Sequence, residues 1–260
     1  MNDGNANLRA KAIATFSSKG NRAVQEDAFL VDREKGIFIV ADGFGGAGPG
    51  AEAAKVSCES VRNFLFKEAG DLDATLPFVL RRYFSLAGNV LFNSLIHANR
   101  QVMKLNKNKN VHEKGGASVI ASFVDGDLLA VANVGVCEGW LLRGGQAAQL
   151  VMPRSFGKLV DPFANEVSEE LKAPLIAIGM SDDLEPEIFE YRLRPGDWLF
   201  LHTDGVPSAV RDRLLTIKQN EFNNGLQENS EQAQKLMDSV TNTLNEYRFE
   251  DNAAISFVIF

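Results

Sequence analysis

The sequence predicts an α+β chain in which helices pack on antiparallel sheets. Three observations carry this reading. Short β-branched and aromatic runs recur near both ends and through the middle of the chain. Two long stretches between them repeat apolar residues at helical spacing. The central strands follow one another through tight turns with no helix in between. A parallel sheet built from βαβ units would alternate strand and helix instead.

Taken in order, Lys11 to Phe16 and Phe29 to Val31 read as short strands, and Gly36 to Ala41 as a wholly apolar one. From Ala51 to Ala69, Ala54, Cys58, Val61 and Leu65 share a helical face, and Gly70 ends the pattern. A second helical pattern runs from Leu76 to Leu105 through Val79, Tyr83, Leu86, Val90, Leu91 and Leu95. From Ala117 the period becomes that of strands: SVIASFVD, DLLAVANVG and GWLLRGG, with Asp125-Gly126 and Gly144-Gly145 at hairpin turns. Pro162 to Lys172 is polar and unpatterned, as a surface excursion would be. Strands resume at Glu187 to Leu193 and Trp198 to His202, Glu228 to Tyr247 is helical, and Ala253 to Phe260 closes the chain as a strand. No repeat, low-complexity tract or linker interrupts the pattern. Residues 1–260 are therefore read as a single domain with a flap-like excursion at about 155–173.

Composition excludes several classes. A chain of 260 residues can bury a substantial core, and 45% hydrophobic with 23% charged residues is ordinary for a globular protein. A formal net charge of −7, with no lysine- or arginine-rich run, argues against nucleic acid as a partner. The N-terminal MNDGNANLRA lacks the apolar core of a secretory signal, and no apolar run approaches the roughly 20 residues of a membrane helix. Cys58 and Cys137 have no spacing partners, so no disulfide framework is expected. The expectation is a cytoplasmic monomer without a membrane partner.

The stretch VADGFGGAGPG, Val40 to Gly50, carries the lettering Gly43-x-Gly45-x-x-Gly48 of a dinucleotide-binding turn. That turn needs a parallel strand after its helix, and here a second helix follows with no strand before Ala117. Asp42-Gly43 taken alone is an ordinary turn pair. What raises its interest is a second occurrence. Trp198 to Gly205 repeats the layout of an apolar strand running into Asp-Gly, at Asp204-Gly205. Asp251 stands just before the last strand, and Arg22, Glu26 and Asp27 stand ahead of the strand at Phe29. Antiparallel pairing can bring such strand ends together, and clustered carboxylates call for a neutralising divalent ion.

Arg22-x-x-x-Glu26-Asp27-Ala28, Val40 to Gly46, Thr203-Asp204-Gly205 and Asp251-Asn252 resemble, in order and spacing, the metal-dependent type 2C (PPM) serine/threonine protein phosphatases of bacterial type. Gly116-Ala117-Ser118, Leu129 to Gly135 and Arg194-Pro195-Gly196-Asp197 continue the likeness, which spans Thr15 to Phe260. The resemblance implies a four-layer α-β-β-α sandwich with two central antiparallel β-sheets. It implies two divalent ions, Mn²⁺ or Mg²⁺, as cofactors. Asp42 would bridge them, Glu26 and the Gly43 carbonyl would complete one, and Asp204 and Asp251 would hold the other. Arg22 would clamp the phosphate, and Asp27 would orient a water from behind the ligands. The substrate would be a phosphorylated protein, in opposition to a serine/threonine kinase.

This chain also departs from the pattern. Gly135-Val136-Cys137-Glu138 stands where Gly-Asp-Ser-Arg is usual, and Ser208 stands where a further Asp is usual. Those two acids belong to a third, weaker metal in the family, so a two-metal site without a third ion is expected. Met152-Pro153-Arg154-Ser155 replaces the usual Asp-His-Ser segment, and Phe44 follows Gly43 in place of His or Met. Activity is thus expected to be low, narrow or regulated. The rival reading is a pseudophosphatase that keeps the fold and regulates a partner by contact. His97 and His112 read as solvated, His202 as a neighbour of the Asp204 strand end, and Cys137 as a packed small residue.

Overall fold

The computed structural model describes residues 8–46, 48–68, 80–161, 163, 171–216 and 230–260. Ten strands form two antiparallel sheets of five. The first sheet runs β1 (Ala12–Ser18), β10 (Ala253–Ile259), β9 (Trp198–His202), β6 (Glu138–Arg143), β7 (Gln146–Val151). The second runs β2 (Ala28–Asp32), β3 (Ile37–Phe44), β4 (Gly116–Asp125), β5 (Leu128–Val134), β8 (Glu187–Arg192). Two helices, α1 (Pro49–Glu68) and α2 (Leu86–Asn106), cover the second sheet. On the first sheet lie α4 (Ser208–Thr216) and α5 (Ser230–Glu246), and a short helix α3 (Phe156–Val160) follows β7. The α-β-β-α sandwich implied by the resemblance is the observed architecture.

The unbroken apolar run of β3 has a direct cause, since both of its faces are covered. Ile37, Ile39 and Ala41 pack against Ala54, Cys58, Val61 and Leu65 of α1 and Leu91 and Leu95 of α2. Phe38 and Val40 point the other way and meet Leu199, Leu201, Ala254 and Val258 of the facing sheet. The first sheet is likewise double-faced, with Trp198, Phe200, Ile255 and Phe257 packed on Met237, Val240 and Leu244 of α5. Strand alternation then has a consequence for position 42: the parity that turns Phe38 and Val40 into the space between the sheets turns Asp42 the same way.

Three expectations are corrected. The second helix begins at Leu86 rather than Leu76. Ser85 caps it by accepting from the Gly88 amide, and Asn89 folds back to bond the backbone of Arg81, Phe84 and Ser85. Tyr83 consequently lies on a loop, 73% exposed, and residues 76–79 of the expected helix fall outside the described residues. The strand at Gly36 to Ala41 extends to Phe44, so Asp42-Gly43 is within the ladder rather than after it. Helix α4 carried no legible pattern, because Val210 and Leu214 are its only buried residues. The hairpin at Gly144-Gly145 is supplied with its return strand by β7, which has an exposed first half. The excursion at about 155–173 includes α3, with 162 and 164–170 outside the described residues.

Candidate active site

The site forms where the two sheets open at one end. Asp42 and Gly43 sit in β3, paired with Ser118 and Ala117 of β4. Asp204 follows the end of β9, and Asp251 precedes the start of β10, its antiparallel neighbour. The segment from Lys19 to Asp27 crosses from β1 in one sheet to β2 in the other, and so brings Arg22, Glu26 and Asp27 over the opening. One buried side chain fastens that crossing. Asn252 donates to the Lys19 carbonyl (2.9 Å) and the Val24 carbonyl (3.0 Å), and accepts from the Glu26 amide (2.8 Å). The sequence marked Asn252 only as the partner of Asp251 in a motif and gave no sign of this role.

Arg22, Glu26, Asp27, Asp42, Gly43, Asp204 and Asp251 all line one cleft of about 560 Å³. Val136 lines it too, whereas Ser208 starts α4 and is not among the lining residues. Phe44, Phe156, Lys172 and Met180 form its outer wall. A smaller cavity of about 190 Å³, near the β2–β3 and β4–β5 turns, shares no residue with it.

The electrostatics of the cleft are unfavourable to the carboxylates as they stand. Burial pushes Asp27 up to about 7, against a hydrogen bond from Thr203 and with further repulsion from Asp204 and Asp251. Asp42 keeps part of its surface toward the cleft, yet burial and then Asp204 and Asp27 hold its carboxyl well above the usual range. Glu26 is raised by burial, with the Gly48 and Gly50 amides and Arg22 opposing. Two carboxylate oxygens, Oε1 of Glu26 and Oδ2 of Asp27, are buried without a hydrogen-bond partner. An unsatisfied buried carboxylate oxygen costs free energy unless something pairs with it. An all-oxygen set of this kind suits Mg²⁺ or Mn²⁺ and not a thiolate- or imidazole-rich zinc centre. Among the described residues, no group of three or more His, Cys, Asp and Glu side chains forms a finished cage. One of the carboxylates is otherwise engaged: Arg22 Nη2 pairs with Asp251 Oδ2 at 2.5 Å, in a contact whose partners are 55% and 36% exposed. Such an exposed pair is worth only about 0–1 kcal/mol, so it yields readily to a competing ligand of either group.

The other singled-out residues separate cleanly. Cys137 is fully buried, its thiol pushed up by burial and by Asp42, with Sγ 3.6 Å from the Ser118 carbonyl, so it is a packed residue. His202 is buried directly behind the Asp204 turn, with Nδ1 2.9 Å from the Thr203 carbonyl. His112 is exposed as expected, but His97 is not solvated: it is half-buried and lies against Phe64, with ring centroids 5.4 Å apart. The glycine lettering after Asp42 makes no nucleotide crevice, because the strand paired with β3 after the helices, β4, is antiparallel.

Comparison with known proteins agrees with this fold. Residues 35–258 match the family described as Stage II sporulation protein E (SpoIIE). The serine/threonine protein phosphatase PstP of Mycobacterium tuberculosis is 25% identical over 200 residues, 75% of this chain, which spans about a third (36%) of that relative's length. Stp1, a serine/threonine phosphatase of Staphylococcus aureus, superposes with a TM-score of 0.73 at 17% identity, covering 98% of this chain and 96% of its own. The catalytic domain of PstP in complex with two manganese ions superposes with a TM-score of 0.66 at 20% identity, covering 95% of this chain and 96% of its own. The match over residues 35–258 and the two facing sheets lead to one conclusion: the chain belongs to the Stage II sporulation protein E (SpoIIE) family, on the fold of the type 2C phosphatases.

Proposed function

We propose that this protein is a metal-dependent phosphatase acting on phosphoserine and phosphothreonine in proteins. The observation that supports it is the meeting of Arg22, Glu26, Asp27, Asp42, Asp204 and Asp251 on one cleft, drawn from both sheets. Glu26, Asp42 and the Gly43 carbonyl would hold one divalent ion, and Asp42, Asp204 and Asp251 the other. Bound there, Mn²⁺ or Mg²⁺ ions supply charge against the phosphate oxygens and lower the pKa of a coordinated water.

The chain's own residues do the rest. Asp42 is held in a strand of one sheet, and Asp204 and Asp251 stand at the ends of two paired strands of the other, which would fix the direction from which water meets phosphorus. Arg22 exchanges Asp251 for the phosphate, whose oxygens its planar fork fits in pairs. Asp27, buried behind Asp42, has a free carboxylate oxygen with which to orient a water or take its proton. No side-chain nucleophile is required, in keeping with a buried and strongly protonated Cys137. Val136 and Ser208 bring no carboxylate, so two ions are assigned and a third is not. The protein would act as a cytoplasmic monomer in opposition to a serine/threonine kinase. No helix among the described residues is long and apolar enough to cross a membrane.

The test is hydrolysis of p-nitrophenyl phosphate and of a phosphothreonine peptide with added Mn²⁺. Turnover in the natural protein no greater than in Asp42→Asn would remove the enzyme reading and leave a regulatory binding module. A structure with excess Mn²⁺ that contained three ions would overturn the two-ion assignment.

A further inference from the structure

Helix α2 carries three buried asparagines, Asn89, Asn99 and Asn106. Each spends its side chain on the backbone of another segment. Asn106 Nδ2 donates to the Gly115 carbonyl at 2.7 Å, and its Oδ1 accepts from the Gly115 amide at 3.1 Å, so one side chain satisfies both backbone groups of one residue. The same Nδ2 lies 3.4 Å from the Gly179 carbonyl. Two helical turns earlier, on the same face, Asn99 accepts from the Gly179 amide (2.7 Å) and donates to the Ser181 carbonyl (2.8 Å).

The segments so gripped press on the cleft. Gly115 is packed so closely on the first turn of α1 that a Cβ there would overlap the Pro49 carbonyl. The next residue of that turn, Gly50, touches both ligand candidates: a Cβ on it would reach within 2.5 Å of Glu26 Oε1, and one on Gly43 would overlap the Gly50 carbonyl. Gly45, which lines the cleft, abuts the Lys114 carbonyl in the same way. On the other arm, Asn99 brackets Met180, also a cleft residue. Four backbones are thus stacked with no side chain between them, and the outermost support is the amide of Asn106.

We propose that Asn106, assisted by Asn99, is a positioning residue through which α2 sets the Gly43 carbonyl and the Glu26 carboxylate at their separation. The proposal rests on the metal-binding reading above. Removing the amide frees Gly115 and with it the start of α1, and an ion between Gly43 and Glu26 meets a looser pair of ligands. Asn89 supplies the control, because it makes the same kind of bonds from the same helix to residues 81–85, none of which lines the cleft.

The experiment is Mn²⁺ titration by calorimetry on the full chain, with melting temperatures measured in EDTA. Asn106→Ala is expected to weaken Mn²⁺ binding about tenfold, as the loss of an outer support of a metal site does, and Asn99→Ala by less. Asn89→Ala should lower the melting temperature comparably and leave Mn²⁺ affinity at the natural value. Equal Mn²⁺ affinities for Asn106→Ala and Asn89→Ala would overturn the proposal. Should Asn106→Ala fail to fold, Asn106→Ser and Asn99→Ala carry the same comparison. A natural chain that binds no Mn²⁺ would remove the metal reading and the positioning role of Asn106 together, whereas tight binding unaffected by Asn106→Ala removes the positioning role alone.

Discussion

Asp42-Gly43 and Asp204-Gly205 are one dipeptide used in two ways. Asp42-Gly43 is part of the β3 ladder, paired with Ser118 and Ala117 of β4, while the pairing of β3 with β2 ends one residue earlier at Ala41. Asp204-Gly205 lies past the last residue of β9, in the turn that leads to α4, and Asp204 is exposed. The glycines differ in what they face. Gly43 is wedged between Gly50 of α1 and the backbone of Glu26, while Gly205 lies against the backbone of Asn252 and the Cβ of Asp251. A carboxylate fixed in a sheet cannot adjust, so the site is referenced to Asp42, and the turn at Asp204 closes upon it.

This comparison can be broken at several points. The largest effect is expected at Asp42, the residue proposed to be shared by the two ions. Asp42→Asn should lower kcat on a phosphothreonine peptide about 10³-fold and Asp204→Asn about 10²-fold, because only the first would touch both ions. Steady-state kinetics giving the reverse order would show that the turn, not the strand, is the reference. The glycines come next. Gly43→Ala and Gly205→Ala should each cost about 3 kcal/mol by overpacking, since a Cβ on either would overlap backbone of a neighbouring segment. Urea unfolding of both variants decides this.

Arg22→Ala is expected to lower kcat/KM about 10²-fold while leaving the melting temperature unchanged, because its pair with Asp251 is exposed. Arg22→Lys should recover little, for want of the paired donors. The smallest effect lies in the helix layer behind β3. Burial, and then Lys104 and Arg100, hold the His97 imidazole below its ordinary value of 6.5. The unfolded chain therefore takes up this proton first as pH falls, and stability is lost as pH drops through 6.5 toward the folded value. His97→Gln should flatten the decline in melting temperature between about pH 7 and pH 5, by thermal scans in metal-free buffer.

The strand-end acids were legible because carboxylates at strand ends are written as residue types at set places, whatever surrounds them. Both Asp-Gly pairs and Asp251 stand in the sequence at the ends of apolar runs, and the cleft contains all of them. The start of α2 was not legible, since Tyr83 continues the helical spacing and only the Ser85 cap and the Asn89 side chain decide where the helix begins. Asn99 and Asn106 were equally silent. A buried asparagine in a helix has no pattern of its own, and its meaning lies in the glycines it meets, Gly115 and Gly179.

The sequence by itself determined the order of most strands and of the long helices, the double-faced apolar strands and the acids at their ends. These follow from periodicity and residue type, which are local. Only the tertiary structure decided that Asp42 belongs to the ladder, that Glu26 and Asp27 each retain a buried carboxylate oxygen without a partner, and that Arg22 rests on Asp251, 229 residues away. Those are relations between segments distant in the chain. Their energies depend on burial and on the fields of neighbours, which exist once the two sheets have closed upon each other.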